Sequence, residues 1–389
     1  MASSQSATEK YVIEMRRFFH ENPELSFQEE QTLGRIEEEL KGMGLRPVSV
    51  PAGGLYADIM GSGPGKTVAL RADVDALPIR EETELSFKSR NDGVMHACGH
   101  DSHIAMLLGV ARSLSSKRDQ FNGKVRLLFQ RAEEQPPGGA IAFIKNKVLK
   151  DVDFVIGQHV IAKIPSGMVA IFPKECMANA DEFRVRIKSK GGHGANPHEG
   201  VDTLMIASQF VVQAQTIVSR LFDPAEPSVI TFGTMNSGFR YNVLSPNSLL
   251  TGTVRTFTEE GRTKAETTLK NMIESLCKVY GAEFEFEYIR GYPALINSEK
   301  VSAVIESAAR KVVGEKNILH PKPVMGGEDF ADYTKEVPGA FYFLGVTPKE
   351  EISAGSNHSP QFFIDESALI KGEEIMEKAT LELLDRNSL

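Results

Sequence analysis

Met95-His96-Ala97-Cys98-Gly99-His100-Asp101-Ser102-His103 runs directly into the apolar stretch 104–114, which reads as a buried helix. A thiol, three imidazoles and a carboxylate therefore crowd the mouth of that helix. Thiolate, imidazole and carboxylate are the side chains that hold transition metals. The positive potential at a helix N-terminus also favours the thiolate form of Cys98. Taken alone, Cys98 and His100 fit two readings equally. They are ligands to one ion, if the backbone is extended ahead of the helix, or a buried thiol beside a capping histidine.

Outward from this run, strand-like segments at 55–60, 67–71, 125–130 and 154–159 flank the helix, and amphipathic helices at 11–19 and 28–43 precede it. Near-continuous apolar strands with intervening helices predict an α/β domain, a mixed sheet covered on both faces. From Asp181 the order changes to strand 181–190, helix 202–221, strands 228–235 and 248–257, helix 259–280 and strand 283–290. That is βαββαβ, the ferredoxin-like unit. A helix at 300–313, a strand at 340–346 and a charged helix from Glu366 then resume the first pattern. Pro173-Lys174 and Gly291-Tyr292-Pro293 read as hinges. The expectation is a catalytic, metal-binding domain of 1–178 and 291–389, with a lid or dimerisation domain of 179–290 inserted into it.

Size and charge agree with two soluble domains. At 389 residues the chain is long for a single core. A net charge of −8 argues against a nucleic-acid or polybasic membrane role. No apolar run approaches the roughly 20 residues of a membrane span, and the N-terminus lacks a signal-peptide core. Three scattered cysteines make no disulfide framework. A cytoplasmic location is expected.

Further ligand-type residues follow separate strands: Glu133 and Glu134 after 125–130, His159 closing the strand that begins at 154, and a late His358. Together they outweigh the reading of chance burial, because unpaired buried charges are costly. Ala132 before the glutamates and Gln135-Pro136-Pro137-Gly138-Gly139 after them exclude a helix. In a turn, adjacent side chains diverge, so one carboxylate can bind metal while the other stays free as a base. Asp73 and Asp75 end another strand. Asp75 suits either the orientation of a metal-bound imidazole or capping of the next loop. His103 and Met106 read as core or supporting residues, His96 is ambiguous, His20 ends a helix and His320 lies at the surface.

These motifs, from His20-Glu-Asn-Pro-Glu-Leu-Ser-Phe to His358-Ser-Pro-Gln-Phe, resemble the metal-dependent amidohydrolase branch of the aminoacylase/carboxypeptidase superfamily. That branch includes hippurate, auxin-conjugate and N-acyl-amino-acid hydrolases. The resemblance implies Cys98, His100, Glu134, His159 and His358 as ligands of two divalent ions, with Glu133 as general base. Zinc is favoured by the thiolate, and manganese, cobalt or nickel are alternatives. It also implies the two-domain plan, with a homodimer or homotetramer joined through the lid.

The inserted domain has its own motif, Gly191-Gly192-His193-Gly194-Ala195-Asn196-Pro197-His198. In the family this histidine, here His193, stabilises the oxyanion; a turn-stabilising histidine is the plainer reading. Asn242 and Arg255 resemble positions that hold the substrate carboxylate, a task suited to the paired donors of Arg, although Arg255 equally suits a strand surface. Arg131 replaces the usual proline before Ala-Glu-Glu, Val201-Asp202-Thr203 stands where Asp-Pro is common, and Asn242-Val243-Leu244-Ser245 replaces Asn-Val-Ile-Pro. None touches an expected ligand.

The expected reaction is amide hydrolysis of an N-acyl (acetyl, benzoyl or similar) amino acid by a two-metal activated water. A carboxypeptidase acting on short or N-blocked peptides is the alternative. A Cys98-nucleophile hydrolase leaves Glu133, Glu134 and His358 without a role, and the intact ligand set argues against a non-catalytic metal-binding protein on the same scaffold.

Overall fold

The computed structural model describes residues 2–348 and 356–385. The chain divides into two compact units: Met1–Cys176 with Ile296–Lys322 and Asp329–Leu389, and Met177–Leu295 with Pro323–Glu328. The second unit thus takes in a short segment outside the expected 179–290. Met177 bridges Val324, and Ala178 N donates to Val324 O at 3.0 Å.

The first unit is built on an eight-stranded mixed sheet in the order Val48–Val50, Gly54–Met60, Lys124–Gln130, Thr67–Asp73, Phe154–Pro165, Gly339–Thr347, Val169–Ile171, Ile318–Leu319. Its centre is parallel, because Thr67–Asp73 pairs parallel with both neighbours and Phe154–Pro165 pairs parallel with Gly339–Thr347. Every residue of Thr67–Asp73 and of Gly339–Thr347 is buried, as expected for central parallel strands covered on both faces. The helix His100–Ser115 is buried through its first twelve residues, His100 to Ala111. It packs between Ala2–Glu21 and Leu369–Asp385. An apolar run without a polar stripe can only be an interior helix.

One strand is longer than its sequence pattern. Phe154–Pro165 continues six residues beyond His159 because it keeps pairing with Gly339–Thr347, His159 lying opposite Phe343. His159 therefore sits mid-strand rather than closing it. On the other side, pairing with Thr67–Asp73 stops at Arg71↔Gly157. Beyond that point side chains replace the strand partner: Val160 N donates to His103 Nε2 at 2.9 Å and Ala162 N to Asn357 Oδ1 at 3.0 Å.

The second unit carries a four-stranded antiparallel sheet in the order Val229–Ser237, Asn247–Arg255, Asp181–Lys188, Glu283–Ile289. Helices Thr203–Thr216 and Glu259–Tyr280 complete a βαββαβ chain order. Asp181–Lys188 alternates buried and exposed residues along its length. Phe183, Val185 and Ile187 join Ile206, Phe210, Leu269 and Ile273 in one core, which identifies the helix-covered face.

Candidate metal centre

Gly99 sets the geometry at the mouth of the central helix. Its φ is 90°, and a Cβ there would lie 2.3 Å from Val160 Cγ2, so only glycine fits. The backbone between Cys98 and His100 therefore turns through a left-handed residue instead of extending as expected.

Cys98 Sγ lies 3.3 Å from His159 Nε2 and 3.3 Å from His358 Nε2. His358 Nε2 is 3.2 Å from Glu134 Oε1, which in turn lies 3.9 Å from His100 Nε2. The donor atoms of Cys98, His100 and His159 lie within 4.8 Å of one another. The same holds for Cys98, Glu134 and His358, and for His100, Glu133 and Glu134. The first unit thus draws Cys98, His100, Glu133, Glu134, His159 and His358 into one cluster. Glu133 and Glu134 occupy the turn after Lys124–Gln130, next to the end of Thr67–Asp73 where Asp73 pairs with Gln130. This is where open α/β sheets place their ligands.

The next layer orients the imidazoles. His100 Nδ1 lies 2.9 Å from Asp75 O and 3.2 Å from Asp75 Oδ1. His159 Nδ1 lies 2.7 Å from Val160 O. An oxygen acceptor at Nδ1 keeps the hydrogen there and leaves the Nε2 lone pair aimed into the cluster.

The electrostatics favour a cation. Burial, then the charges of Glu134, Glu133 and Asp73, push the Cys98 thiol well above its ordinary pKa. This reverses the thiolate preference expected from the helix N-terminus, because the carboxylates crowd the sulfur. Burial alone would discharge His100, but Asp73, Asp75 and Glu134 outweigh it and push its pKa up to about 10. Among the described residues, His100 Nε2 is buried without a hydrogen-bond partner. An N, O and S donor set in surplus negative charge, buried at Cys98, His100 and His159 and opening to the surface at His358, fits divalent metal ions, which remove the opposition to the Cys98 thiolate.

Asp73 and His103, the latter read from sequence as core or supporting, belong to a network whose other members, Arg71 and Asp329, the sequence reading missed. His103 Nδ1 is 2.5 Å from Asp73 Oδ1, and its Nε2 accepts from Val160 N at 2.9 Å. Both His103 nitrogens are therefore engaged, so it supports the site. Arg71 donates to Asp73 Oδ2 at 2.5 Å, Asp329 Oδ1 at 2.7 Å and Gln130 Oε1 at 3.0 Å. Burial opposes ionisation of Asp73, yet Arg71, His100 and His103 hold its carboxyl well below the usual range. The available signal was Arg71 itself, since an arginine inside an apolar strand requires buried anions. His20 is likewise more than a helix-end residue. It is fully buried, with Nδ1 2.8 Å from Asp101 Oδ2, and Arg16 Nε donates to that same oxygen at 2.9 Å. His96 is buried, and that burial pushes its pKa down to about 4.

The remaining expected residues lie in the second unit. His193 is exposed on the short strand Gly192–His193, which pairs with Val243–Leu244. Gly194 N donates to Asn242 O at 2.9 Å, so His193 and Asn242 are neighbours. Arg255, half-buried at the end of Asn247–Arg255, donates to Thr253 Oγ1 at 2.6 Å.

Residues 69–382 match the model of peptidase family M20/M25/M40. The chain is 39% identical over 384 residues to the N-acetyl-L-cysteine deacetylase of Bacillus subtilis, covering 98% of this chain and 90% of that protein. It is 38% identical over 369 residues to thermostable carboxypeptidase 1 of Saccharolobus solfataricus, covering 94% and 93%. Among solved structures, the Bacillus subtilis YXEP protein, titled a dinuclear metal-binding peptidase of the M20 family, superposes with a TM-score of 0.85. It is 33% identical, over 98% of this chain and 99% of that one. The chain belongs to peptidase family M20/M25/M40 and is a metal-dependent hydrolase of amide bonds.

Proposed function

We propose that the protein hydrolyses N-acyl amino acids to a carboxylic acid and a free amino acid. The observation that carries this reading is Glu133, a buried carboxylate clustered with His100 and the partly buried Glu134. Two divalent ions, zinc before manganese, cobalt or nickel, would be held by Cys98, His100, Glu134, His159 and His358 and would supply the positive charge that polarises the scissile carbonyl and acidifies water. Glu133 takes the proton of the attacking water and passes it to the leaving amine. Asp75 holds His100 in the tautomer and direction that ligation needs. His193 donates to the developing oxyanion. Asn242 and Arg255 select the free α-carboxylate of the substrate.

Similarity to a carboxypeptidase keeps a second reading, release of C-terminal amino acids from short or N-blocked peptides. Both reactions cleave an amide beside a free carboxylate. N-acetyl, N-benzoyl and N-benzyloxycarbonyl amino acids assayed beside dipeptides separate them. Faster turnover of simple acyl groups supports the deacylase, and faster turnover of dipeptides overturns it.

We further propose a homodimer or homotetramer joined through the second unit. Val229–Ser237 is an edge strand without a charged residue, whereas the opposite edge, Glu283–Ile289, carries three glutamates. Charge blunts an edge and its absence leaves it open to pairing across a two-fold axis. A monomer in sedimentation equilibrium would contradict this assembly. Among the described residues, no helix is long and apolar enough to cross a membrane.

A further inference from the structure

Three buried carboxylates converge on the turn that carries Glu133 and Glu134, each accepting from a different backbone N–H. Glu29 Oε1 accepts from Ala132 N at 2.8 Å, Asp75 Oδ2 from Glu134 N at 2.9 Å, and Asp329 Oδ2 from Ala140 N at 3.1 Å. Asp75 and Asp329 have other employment, at His100 and at Arg71. Glu29 does not take part in the chemistry described above. It precedes the helix Glu30–Gly42, where it offers no side-chain cap, and it is 0% exposed. Its second oxygen lies 3.4 Å from Arg131 Nε, an ion-pair distance without a hydrogen bond. One side chain therefore bonds the residue that leads into Glu133 and sets a charge against the residue before it.

The backbone explains why such a hold is needed. Ala132 has φ 57°, left-handed and fully buried. A residue with a Cβ resists that conformation, and such strain persists only where surrounding contacts over-determine it. Left to itself, Ala132 would relax to a right-handed or extended form, which would re-aim the Glu133 side chain one residue later. Ser26 Oγ donates to Asp75 Oδ2 at 2.7 Å and Ala76 N to Glu24 O at 2.8 Å, so the segment bearing Glu29 is itself tied to the strand end beside the cluster.

We propose that Glu29 is a positioning residue for Glu133, fixing the left-handed turn at Ala132 so that the carboxylate of Glu133 faces the substrate water. This rests on the reading of Glu133 as the base. Misaiming a reacting group by about an ångström costs up to about 100-fold, so replacing Glu29 with a side chain that cannot accept should cost at least about 10-fold in kcat. Burial pushes the Glu29 carboxyl up to about 7, so glutamine, neutral and still an acceptor, is the conservative control.

The test compares Glu29→Met, Glu29→Gln and Glu133→Gln by kcat, KM, bound metal and melting temperature. Expected is a Glu29→Met protein with kcat down at least about 10-fold, with KM and bound metal near wild type, and a Glu29→Gln protein that keeps most of the activity. Full kcat in Glu29→Met beside an inactive Glu133→Gln overturns the role of Glu29 alone. An active Glu133→Gln instead overturns the assignment of the base, and this proposal with it. Equal losses in Glu29→Met and Glu29→Gln, or losses that track lost metal, also overturn it. If Glu29→Met gives no folded protein, Glu29→Ala replaces it, and failure of both to fold assigns Glu29 to the fold.

Discussion

The two sheets bury charge for different ends. In the first unit, Asp73, Arg71 and Asp329 lie within or against strands covered on both faces, and their bonds lead towards the Cys98 cluster. In the second unit Asp181 is fully buried and Glu328 nearly so, and Asp181 has the denser set of bonds. Arg262 grips it through Nε at 2.7 Å, and Tyr288 Oη and Gly291 N donate at 2.9 and 3.0 Å. Those bonds join a strand to a helix and a chain crossover, and the candidate groups His193 and Asn242 lie elsewhere in loops and short strands. The buried charge at Asp73 serves the site, and that at Asp181 serves the fold. Substitutions should therefore separate by readout: metal and turnover in the first unit, stability or turnover alone in the second.

The largest effect should come from the glutamate pair. Glu133→Gln preserves size but cannot accept a proton, so kcat should fall by at least about 100-fold with metal retained. Glu134→Gln should instead lose metal, as should Cys98→Ser, because a neutral hydroxyl is a poorer ligand than a thiolate. Metal analysis beside kinetics decides. Near wild-type turnover in Glu133→Gln would remove the first unit's claim to the chemistry.

His193→Ala tests the other side of the contrast. Loss of one oxyanion donor costs about 100-fold or more in kcat, and bound metal should not change because His193 lies outside the ligand set. If metal fell together with kcat, the division between the units would break.

Why these residues were legible, and others not, follows from sequence spacing. Cys98, His100, Glu133 and Glu134 announce themselves because neighbouring residues share a chemical type, and the apolar run behind them fixes the central helix. The alternation in 181–188 likewise reveals a half-covered strand, and the βαββαβ order follows from periodicity. Asp329 stayed hidden because its partners, Arg71 and Gln130, are 258 and 199 residues away. Glu29 drew no reading of its own inside the helix expected at 28–43, since its acceptor role depends on Ala132, 103 residues on. The overlong strand 154–165 escaped for a related reason. Its second half is held by a pairing with Gly339–Thr347 that local pattern does not encode.

Asp181→Ala should sharpen the contrast through stability. Removing one member of a buried ion pair leaves Arg262 with only the half-exposed Glu259 and the Gly291 carbonyl, at a cost of up to about 3–5 kcal/mol. Denaturant melts should register that loss, while bound metal at low denaturant should match wild type. Metal lost in step with the second unit's stability would mean that its buried charge supports the site after all.

The smallest effect concerns a buried carboxyl in the first unit that belongs to neither role. Glu373, on the helix Leu369–Asp385, packs its Cγ against Gly109 of the central helix and is 2% exposed. Among the described residues, its Oε1 has no hydrogen-bond partner. Burial, then Glu377 and Glu374, push its pKa up to about 8. Below the ordinary value of 4.5 both the native and the unfolded chain hold the proton, so Glu373 does not change stability with pH. Between 4.5 and about 8 the unfolded chain releases that proton and the native chain keeps it. Unfolding then sheds a proton, and stability falls as pH rises through that window, levelling off above it. Glu373→Gln removes the titration. Its melting temperature should fall less than that of wild type between pH 5 and pH 8, with kcat and metal content unchanged at either pH. Parallel curves for the two proteins would show that Glu373 ionises as freely in the native state as in the unfolded one, and that this helix interface does not keep the group neutral.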